Sequence, residues 1–296
     1  MPWYDGLEDI LKRDEPLAGR TTFGIGGSAD MLLEPGNDDQ FAAAWTAARR
    51  SGQPVHVLGG GSNVLIRDDG VRGIVISTRR MKDRNPVKRG DHVVARAGMP
   101  LRRVVRWAMD SGLAGLECLV GIPGTVGGAV HMNAGGKHGY IGERVHSLWC
   151  VSEDGSLVCR SAGDVQWEYR RTSVWEPIVA VEFLLQRDSK AAILERSRAI
   201  LAQKARSQPM GKRSAGCFFK NPTGQSAGRL IDEAGLKGLT VGGARVSEKH
   251  ANFIVNLGNA TAADVLSLSG TIRDRVRARA GIVLENEVCC WPQPRV

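Results

Sequence analysis

The sequence predicts an α+β protein with at least two domains. Three observations favour this class. The 296 residues exceed the usual length of one compact domain, short β-like runs alternate with glycine turns in the first third, and stretches of helical periodicity lie between the strands. Hydrophobic residues make up 42% and charged residues 24%, so the composition is typical of a folded protein.

In the first half, apolar runs predict strands, and amphipathic stretches predict helices between them. Gly52 is expected to end the first helix, because glycine readily takes the left-handed conformation that closes a helix. The second helix carries its apolar side chains on one face and most of its arginines on the other. The predicted strands cover 29–35, 54–60, 73–78 and 92–98, and the predicted helices cover 39–52 and 101–112.

The second half continues the pattern after a hairpin around the turn Glu153–Asp154–Gly155. Thr261 and Asp264 have the spacing of a capping box at the start of a helix. The basic helix and the residues after it, up to Lys212, mark the clearest domain boundary. The predicted strands cover 145–151, 156–161, 177–186 and 252–256, the basic helix about 190–207, a further element 229–235, and the last segment, 281–291, is extended.

Lysine and arginine exceed aspartate and glutamate by nine, which suits either a nucleic-acid binder or an enzyme for anionic substrates. The basic residues are scattered among acids, and no aromatic-rich basic stripe appears, so the charge pattern favours the enzyme. The N-terminal stretch is too acidic for a secretory signal, and no apolar run is long enough to span a bilayer. We therefore expect a cytoplasmic protein without a nucleic-acid or membrane partner; the sequence leaves its oligomeric state open, with a monomer favoured.

The six cysteines contain no CxxC pair, so their spacing predicts no metal site. We expect the thiols to be reduced. Cys217, in SAGCFFKNP (214–222), has three possible roles: a buried structural thiol, a covalent nucleophile or a proton donor. A nucleophile would need an activating base, and none is adjacent in sequence. A thiol is ordinarily protonated near neutral pH, so donation is chemically open to it.

Two glycine-rich loops are the strongest functional signal. LGGGSNVLIRD (58–68) and GIPGTVGGAVHMNAGG (121–136) each follow a β-like segment. Consecutive glycines let backbone N–H groups converge on an anion, and Ser62 and Asn63 add side-chain donors. Neither loop has the GxGxxG or GxxxxGK[ST] spacing, which disfavours a Rossmann or P-loop site. Either loop alone could be a structural turn, but two together favour a bound diphosphate or dinucleotide.

Other candidates for chemistry are charged residues in loops and at strand edges. Arg170 follows a tyrosine and could pair with a carboxylate, although an exposed edge arginine is an equal alternative. Glu285 and Glu287 would share a face on a strand, where edge charges also deter aggregation. Lys220 and Asn221 follow Cys217 closely and could hold an anionic or carbonyl-rich substrate.

Together these stretches resemble the UDP-N-acetylenolpyruvoylglucosamine reductases (MurB), also called UDP-N-acetylmuramate dehydrogenases, and best the shorter branch of that family. The resemblance covers nearly the whole chain and rests on motifs that occur in order. They are TTFGIGGSADMLLEP (21–35), LGGGSNVLIRD, GLECLVGIPGTVGGAVHMNAGG (115–136), WEYRRTS (167–173), SAGCFFKNPTGQSAGRLIDEAGLKG (214–238), VSEKHANFIVNLGNATAADV (246–265) and VLENEV (283–288).

The resemblance implies a flavoenzyme of peptidoglycan precursor synthesis. FAD would carry hydride from NADPH to the enolpyruvyl double bond of UDP-N-acetylglucosamine enolpyruvate, giving UDP-N-acetylmuramate. It also implies a two-part FAD-binding region of the PCMH/vanillyl-alcohol-oxidase type and a C-terminal α+β substrate domain. The expected domains are 1–78 joined by 283–296, then 79–204, and 205–282 for substrate.

The resemblance further implies roles for individual residues. Cys217 would donate the proton in the position where the family usually has serine, Arg170 would stabilise the substrate carboxylate and the developing enolate, and Glu287 would assist protonation. Tyr169, Lys220 and Asn221 would contact substrate, and no residue is assigned to a metal. The FAD contacts would be Gly59, Gly60, Gly61, Ser62 and Asn63 in the first loop, and Gly121, Ile122, Thr125, Gly127 and Ala129 in the second.

The chain departs from the family pattern at two places. Cys217 replaces serine, which makes the site open to oxidation, and Thr172 stands where the family usually has serine after its arginine. Arg171 is therefore a rival to Arg170. Two other function classes stay open at this level: an FAD-dependent oxidase of the same fold, and a non-catalytic basic protein that binds nucleotides or nucleic acid.

Overall fold

The computed structural model describes residues 2–81 and 85–292, so both ends of the predicted first domain, residue 1 and residues 293–296, lie outside the described residues. Within these ranges no helix is long and apolar enough to cross a membrane. The described α-helices are α1 (Asp38–Arg50), α2 (Leu101–Asp110), α3 (Val126–His131), α4 (Lys190–Ser207), α5 (Ala227–Glu233) and α6 (Ala262–Ala280).

Most of the predicted strands are present, and the structure contains several two-residue strands in addition. In chain order they are β1 (Leu11–Pro16), β2 (Ser28–Leu33), β3 (Val55–Leu58), β4 (Val64–Ile66), β5 (Val71–Ser77), β6 (Val87–Arg89), β7 (His92–Arg96), β8 (Leu113–Ala114), β9 (Gly135–Gly136), β10 (Gly139–Tyr140), β11 (Val145–Val151), β12 (Leu157–Ser161), β13 (Trp167–Glu168), β14 (Arg171–Thr172), β15 (Ile178–Leu184), β16 (Gln186–Arg187), β17 (Thr240–Val241), β18 (Ala244–Val246), β19 (Ile254–Asn256) and β20 (Cys289–Trp291).

The chain divides into two compact units. Unit 1 comprises Met1–Arg13, Met31–Gly60 and Gly73–Gln203, and unit 2 comprises Asp14–Asp30, Gly61–Arg72 and Lys204–Val296. Each unit has its own hydrophobic core. The division into three domains that the sequence predicts stays a prediction.

Unit 1 contains a five-stranded sheet in the order β12-β11-β15-β7-β6, with antiparallel pairing throughout. Its strands share one buried cluster with α2 and α3, to which Val93, Phe183, Val104 and Val130 contribute. The apolar face of α2 that the sequence predicts is thus the face that packs on the sheet.

A second core in unit 1 lies under α1. Strand β3 pairs in parallel with β5, and Ile74 and Ile76 of β5 pack with Phe41 and Trp45 of α1. Asn37 caps the start of α1 by accepting a hydrogen bond from the Gln40 amide. The predicted end at Gly52 is confirmed, because that glycine follows the helix with a φ of +70°.

Unit 2 is built on α5, α6 and the antiparallel sheet β17-β18-β19, while β20 pairs in parallel with β4. The predicted capping box of Thr261 and Asp264 begins α6. The predicted extended segment 281–291 forms a regular strand only over β20, and before β20 its residues 285–288 bond to residues 218–220. This irregular pairing positions the candidate catalytic residues of unit 2.

Candidate active site

The two glycine loops that the sequence predicts separately lie against each other in unit 1. A Cβ atom added at Gly59 would lie 2.5 Å from Thr125 Oγ1, and one added at Gly60 would lie 2.7 Å from the Gly124 Cα. Both distances are shorter than real Cβ contacts, so only glycine allows the loops to approach this closely. Gly59 and Gly60 are therefore needed for the contact between the two loops, in addition to any role in binding a ligand.

The second loop is fixed to the chain that follows β7. Thr125 pairs with Pro100, and its hydroxyl caps α3 by accepting a hydrogen bond from the Gly128 amide at 3.4 Å. Backbone bonds of 2.9–3.0 Å complete the attachment: Leu101 N–H to Gly124 O, Val126 N–H to Met99 O, and Gly127 N–H to Ala97 O. The loop is thus a rigid extension of the unit 1 core.

The loops fit a flavin diphosphate by the chemistry of their donors, since backbone amides without side chains accept a close anion. The structure also separates the loop residues whose N–H groups are already bonded within the fold from the others. The N–H groups of Ile122, Gly127 and Ala129 bond within the fold, to Leu119 O, Ala97 O and Thr125 O. These three residues would therefore shape the site by packing, and donation would fall to the remaining loop residues.

The second half of the first loop belongs to unit 2. A Cβ at Gly61 would lie 2.2 Å from Arg20 O, and φ at Gly61 is +62°, so glycine is required there. Asn63 Nδ2 donates to Glu287 O at 3.1 Å, and the Cys289 amide donates to Asn63 O at 3.0 Å. Asn63 thus holds the C-terminal segment that carries Glu287.

Cys217 lies in a segment of unit 2 that is bonded on both sides. It pairs with Phe253 on one side, and on the other the Glu287 amide donates to Phe218 O at 2.8 Å. The predicted proton donor and the predicted assisting carboxylate therefore lie on adjacent backbone segments, although 70 positions separate them in sequence.

The residues after Cys217 are buried and hold the segment in place, whereas Cys217 itself is partly accessible. Phe218 and Phe219 are buried, whereas Cys217 is half-buried. A Cβ at Gly216 would meet nothing within 4 Å, so the space beside the preceding residue is open. Cys150 differs from Cys217 because it is a fully buried core residue, and burial raises the pKa of its thiol to about 12.

Lys220 and Glu285 form an exposed pair, with Lys220 Nζ 3.4 Å from Glu285 Oε2. Asn221 Oδ1 accepts a hydrogen bond at 3.0 Å from the amide of Ala227, the first residue of α5. The two glutamates of the C-terminal segment therefore differ: Glu285 is exposed and paired with lysine, and Glu287 is half-buried beside the Cys217 segment.

Arg170 occupies the turn of a short hairpin in unit 1, between β13 and β14. Its φ of +61° is unusual for a residue with a side chain. Arg170 Nη1 donates to Gly135 O at 3.1 Å, and the guanidinium lies 4.8 Å from the centre of the Tyr169 ring. The hairpin thus holds Arg170 against the end of the second glycine loop.

The rival Arg171 has a different setting. It lies on β14, is exposed, and pairs across the hairpin with Glu168. Thr172, at the family's serine position, is buried and its hydroxyl donates to His131 O at 3.3 Å. Within the part of the chain that the structure describes, Arg170 is the one of the two arginines that donates to the loop backbone.

Two positioning residues were missed by the sequence predictions. Buried Asn252 accepts a hydrogen bond from the Phe219 amide through Oδ1 and donates to Phe219 O through Nδ2, at 2.9 and 2.7 Å. Buried Asn133 donates to Glu168 O at 3.0 Å, and so ties the loop to the Arg170 hairpin. The signal in the sequence was an asparagine that opens the apolar run NFIVN and another inside the second glycine loop.

Comparison with known proteins defines the class. An FAD-binding domain model matches residues 29–159, and the C-terminal domain model of UDP-N-acetylenolpyruvoylglucosamine reductases matches residues 208–291. The chain is an FAD-dependent oxidoreductase of α+β class, which confirms the predicted fold class and its FAD-binding region with an added C-terminal domain.

Whole-chain relatives identify the family. The UDP-N-acetylenolpyruvoylglucosamine reductase of Geobacter metallireducens is 45% identical over 284 residues, which is 95% of this chain and 94% of that protein. The one from Moorella thermoacetica is 42% identical, over 97% and 95%. The crystal structure of the Thermus caldophilus enzyme has a TM-score of 0.82 at 38% identity, covering 95% of this chain and 99% of that one. The chain belongs to the UDP-N-acetylenolpyruvoylglucosamine reductase family.

Proposed function

We propose that the protein reduces UDP-N-acetylglucosamine enolpyruvate to UDP-N-acetylmuramate, with NADPH as the reductant. One observation carries this proposal. In unit 2, a thiol and a carboxylate stand on adjacent segments, because the Glu287 amide bonds to the carbonyl next to Cys217. Family membership supports the substrate, a step in making peptidoglycan precursors.

Bound FAD would supply a hydride carrier between NADPH and the enolpyruvyl double bond. The protein's own residues supply the proton. As one carbon of the double bond gains hydride, the carbon beside the carboxylate gains a proton from Cys217 Sγ, so an S–H bond breaks and a C–H bond forms. The resulting thiolate recovers a proton from solvent, with Glu287 assisting the transfer.

Arg170 would bind the substrate carboxylate and stabilise the negative charge that develops on it as an enolate. The bond to Gly135 O and the contact with the Tyr169 ring restrict the guanidinium before substrate binds. A charge held in place before reaction needs little reorganisation in the transition state. Tyr169, Lys220 and Asn221 would complete the contacts to the sugar nucleotide and its diphosphate.

The test follows NADPH oxidation by the purified flavoprotein with and without UDP-N-acetylglucosamine enolpyruvate. We expect oxidation to depend on the sugar nucleotide. Flavin without substrate-dependent oxidation would instead indicate an oxidase or a paralogue that has lost the reaction, and absence of flavin would contradict the assignment of both glycine loops.

The proton donor is tested with two substitutions of the same residue. We expect Cys217→Ser to remain active, because a hydroxyl can reach the same carbon, and Cys217→Ala to lose about 10²- to 10⁴-fold in kcat. Bound flavin, measured by absorbance, should be equal in both variants. An inactive Cys217→Ser protein with normal flavin would rule out a simple exchange of donors.

A further inference from the structure

The five-stranded sheet of unit 1 carries a cluster of three metal-binding side chains, one on each of its three central strands. His92 lies on β7, His146 on β11 and Glu182 on β15, and one ligand atom from each lies within 4.8 Å of the others. The neighbours Val93 and Phe183 point into the core. Because side chains alternate along a strand, His92 and Glu182 project from the opposite face.

A β-bulge brings His146 into this group. Val145 pairs with Phe183 and Ser147 with Glu182, so His146 is an extra residue between two consecutive pairs. Because Val145 before the bulge and Leu148 after it both face the core, the bulge lets His146 and Ser147 lie together on the face that carries Glu182. The rings of His92 and His146 consequently meet edge to face, with their centres 4.7 Å apart.

The contacts within the cluster resemble those of a metal-binding site. His92 Nδ1 lies 3.0 Å from Glu182 Oε1, and Ser147 Oγ donates to Glu182 Oε2 at 2.7 Å. A hydrogen bond to the second carboxylate oxygen orients a ligating carboxylate and leaves the first oxygen for the ion. His146, the most exposed of the three, also lines a groove of about 470 Å³ together with Asp91 and Arg187.

We propose that His92, His146 and Glu182 bind one divalent transition-metal ion of the Zn²⁺ type. Two imidazoles and one carboxylate suit zinc, cobalt or nickel better than magnesium or calcium, which prefer oxygen ligands. The ion would replace the hydrogen bond between His92 and Glu182 and leave a fourth coordination position for water. Cysteine spacing could not predict this site, because its ligands are widely separated in sequence.

The ion would connect three strands of the sheet, so we expect it to stabilise the folded protein. None of the three ligands is among the residues proposed for catalysis or for FAD. Binding to the folded protein alone raises the free energy of unfolding by mass action. We therefore expect saturating Zn²⁺ to raise the Tm by several degrees while leaving kcat for the reductase reaction unchanged.

The site is tested by titrating the chelator-treated flavoprotein with Co²⁺ and Zn²⁺. We expect one equivalent to bind, with Co²⁺ giving visible d–d absorption and no thiolate charge-transfer band. His92→Gln and His146→Gln should each abolish this binding and the rise in Tm. Ser147→Ala should weaken binding about 10- to 100-fold, because it removes only the orienting bond. His138→Gln, an exposed histidine outside the cluster, is the matched control and should bind as the wild type does.

Three results would overturn the proposal: no binding by the wild type, unchanged binding in both histidine variants, or a thiolate charge-transfer band. The cobalt spectrum of the wild type decides the ligand type even if a variant does not fold. Flavin content and the metal-free Tm show whether each variant is folded.

Discussion

At the scale of single residues, backbone conformation distinguishes Arg170 from Arg171, which the sequence alone could not do. Arg170 holds a positive φ that costs a residue with a side chain about 1–3 kcal/mol. Its guanidinium is restrained by Gly135 O and the Tyr169 ring, whereas Arg171 is exposed on β14. Strain of this kind persists where the surrounding structure holds the residue in place, which favours Arg170 as the functional one.

This difference predicts a matched pair of variants. Arg170→Lys should lower kcat by about 10²- to 10³-fold, because lysine cannot present the planar donors that hold a carboxylate. Arg171→Lys should leave kcat nearly unchanged. Steady-state rates at saturating NADPH, with flavin content as the folding control, make the comparison. A loss at Arg171 equal to that at Arg170 would reverse the assignment.

At the scale of elements, two carboxylates hold the start of α6: Asp68 accepts hydrogen bonds from the Ala262 and Ala263 amides, and Asp264 completes the capping box. Asp264 accepts hydrogen bonds from the Thr261 amide at 3.0 Å and the Gly243 amide at 3.1 Å. These bonds hold the pKa of Asp264 below its usual range. Because the folded-state pKa is lowered, the stabilisation is present above the ordinary aspartate pKa and is lost as the pH falls through the lowered value.

Removing this carboxylate should therefore change the pH dependence of stability. We expect Asp264→Asn to lower the Tm at neutral pH and to reduce the further fall in Tm on acidification to about pH 3. Asp274→Asn, an exposed aspartate on the same helix, is the control. An acid profile in Asp264→Asn identical to that of the wild type would show that the bonds contribute nothing.

The contact between the glycine loops is also an element-scale feature with a direct test. A Cβ at Gly60 would lie 2.7 Å from the Gly124 Cα, whereas one at Gly136 would meet nothing within 4 Å. Gly60→Ala should therefore force the loops apart, with a lower Tm and less flavin per protein, and Gly136→Ala should change neither. Absorbance spectra and thermal melts measure both. Full flavin retention in Gly60→Ala would show that loop contact is not needed for the cofactor.

At the scale of the whole molecule, the net charge of +9 favours anionic partners. NADPH and the proposed sugar nucleotide are both anions. We expect kcat/KM for the sugar nucleotide to fall as salt rises, because ions screen attraction beyond about 10 Å at 0.1 M. An uncharged osmolyte at equal osmolality is the control. Rates independent of salt would show that the excess charge does not steer substrate, and tight DNA binding without flavin would favour the alternative class.

Much of the secondary structure followed from local patterns. The basic helix was predicted over 190–207 and observed as Lys190–Ser207, and the capping box at Thr261 was found where its spacing placed it. The last segment was predicted only as extended over 281–291, and the structure adds that residues 285–288 bond to residues 218–220 before β20 begins. Local signals report local preferences, and they do not show which distant segments will bond to each other.

The sequence by itself determined the family, the α+β class and the residue types available for chemistry, because these depend on motifs and on periodicity along the chain. Only the tertiary structure decided which residues meet. It placed Glu287 beside the Cys217 segment, the two glycine loops in contact, and His92, His146 and Glu182 on one face of a sheet. The physical reason is that these juxtapositions arise from strand register, a bulge and backbone hydrogen bonds between distant segments, none of which leaves a local signal in sequence.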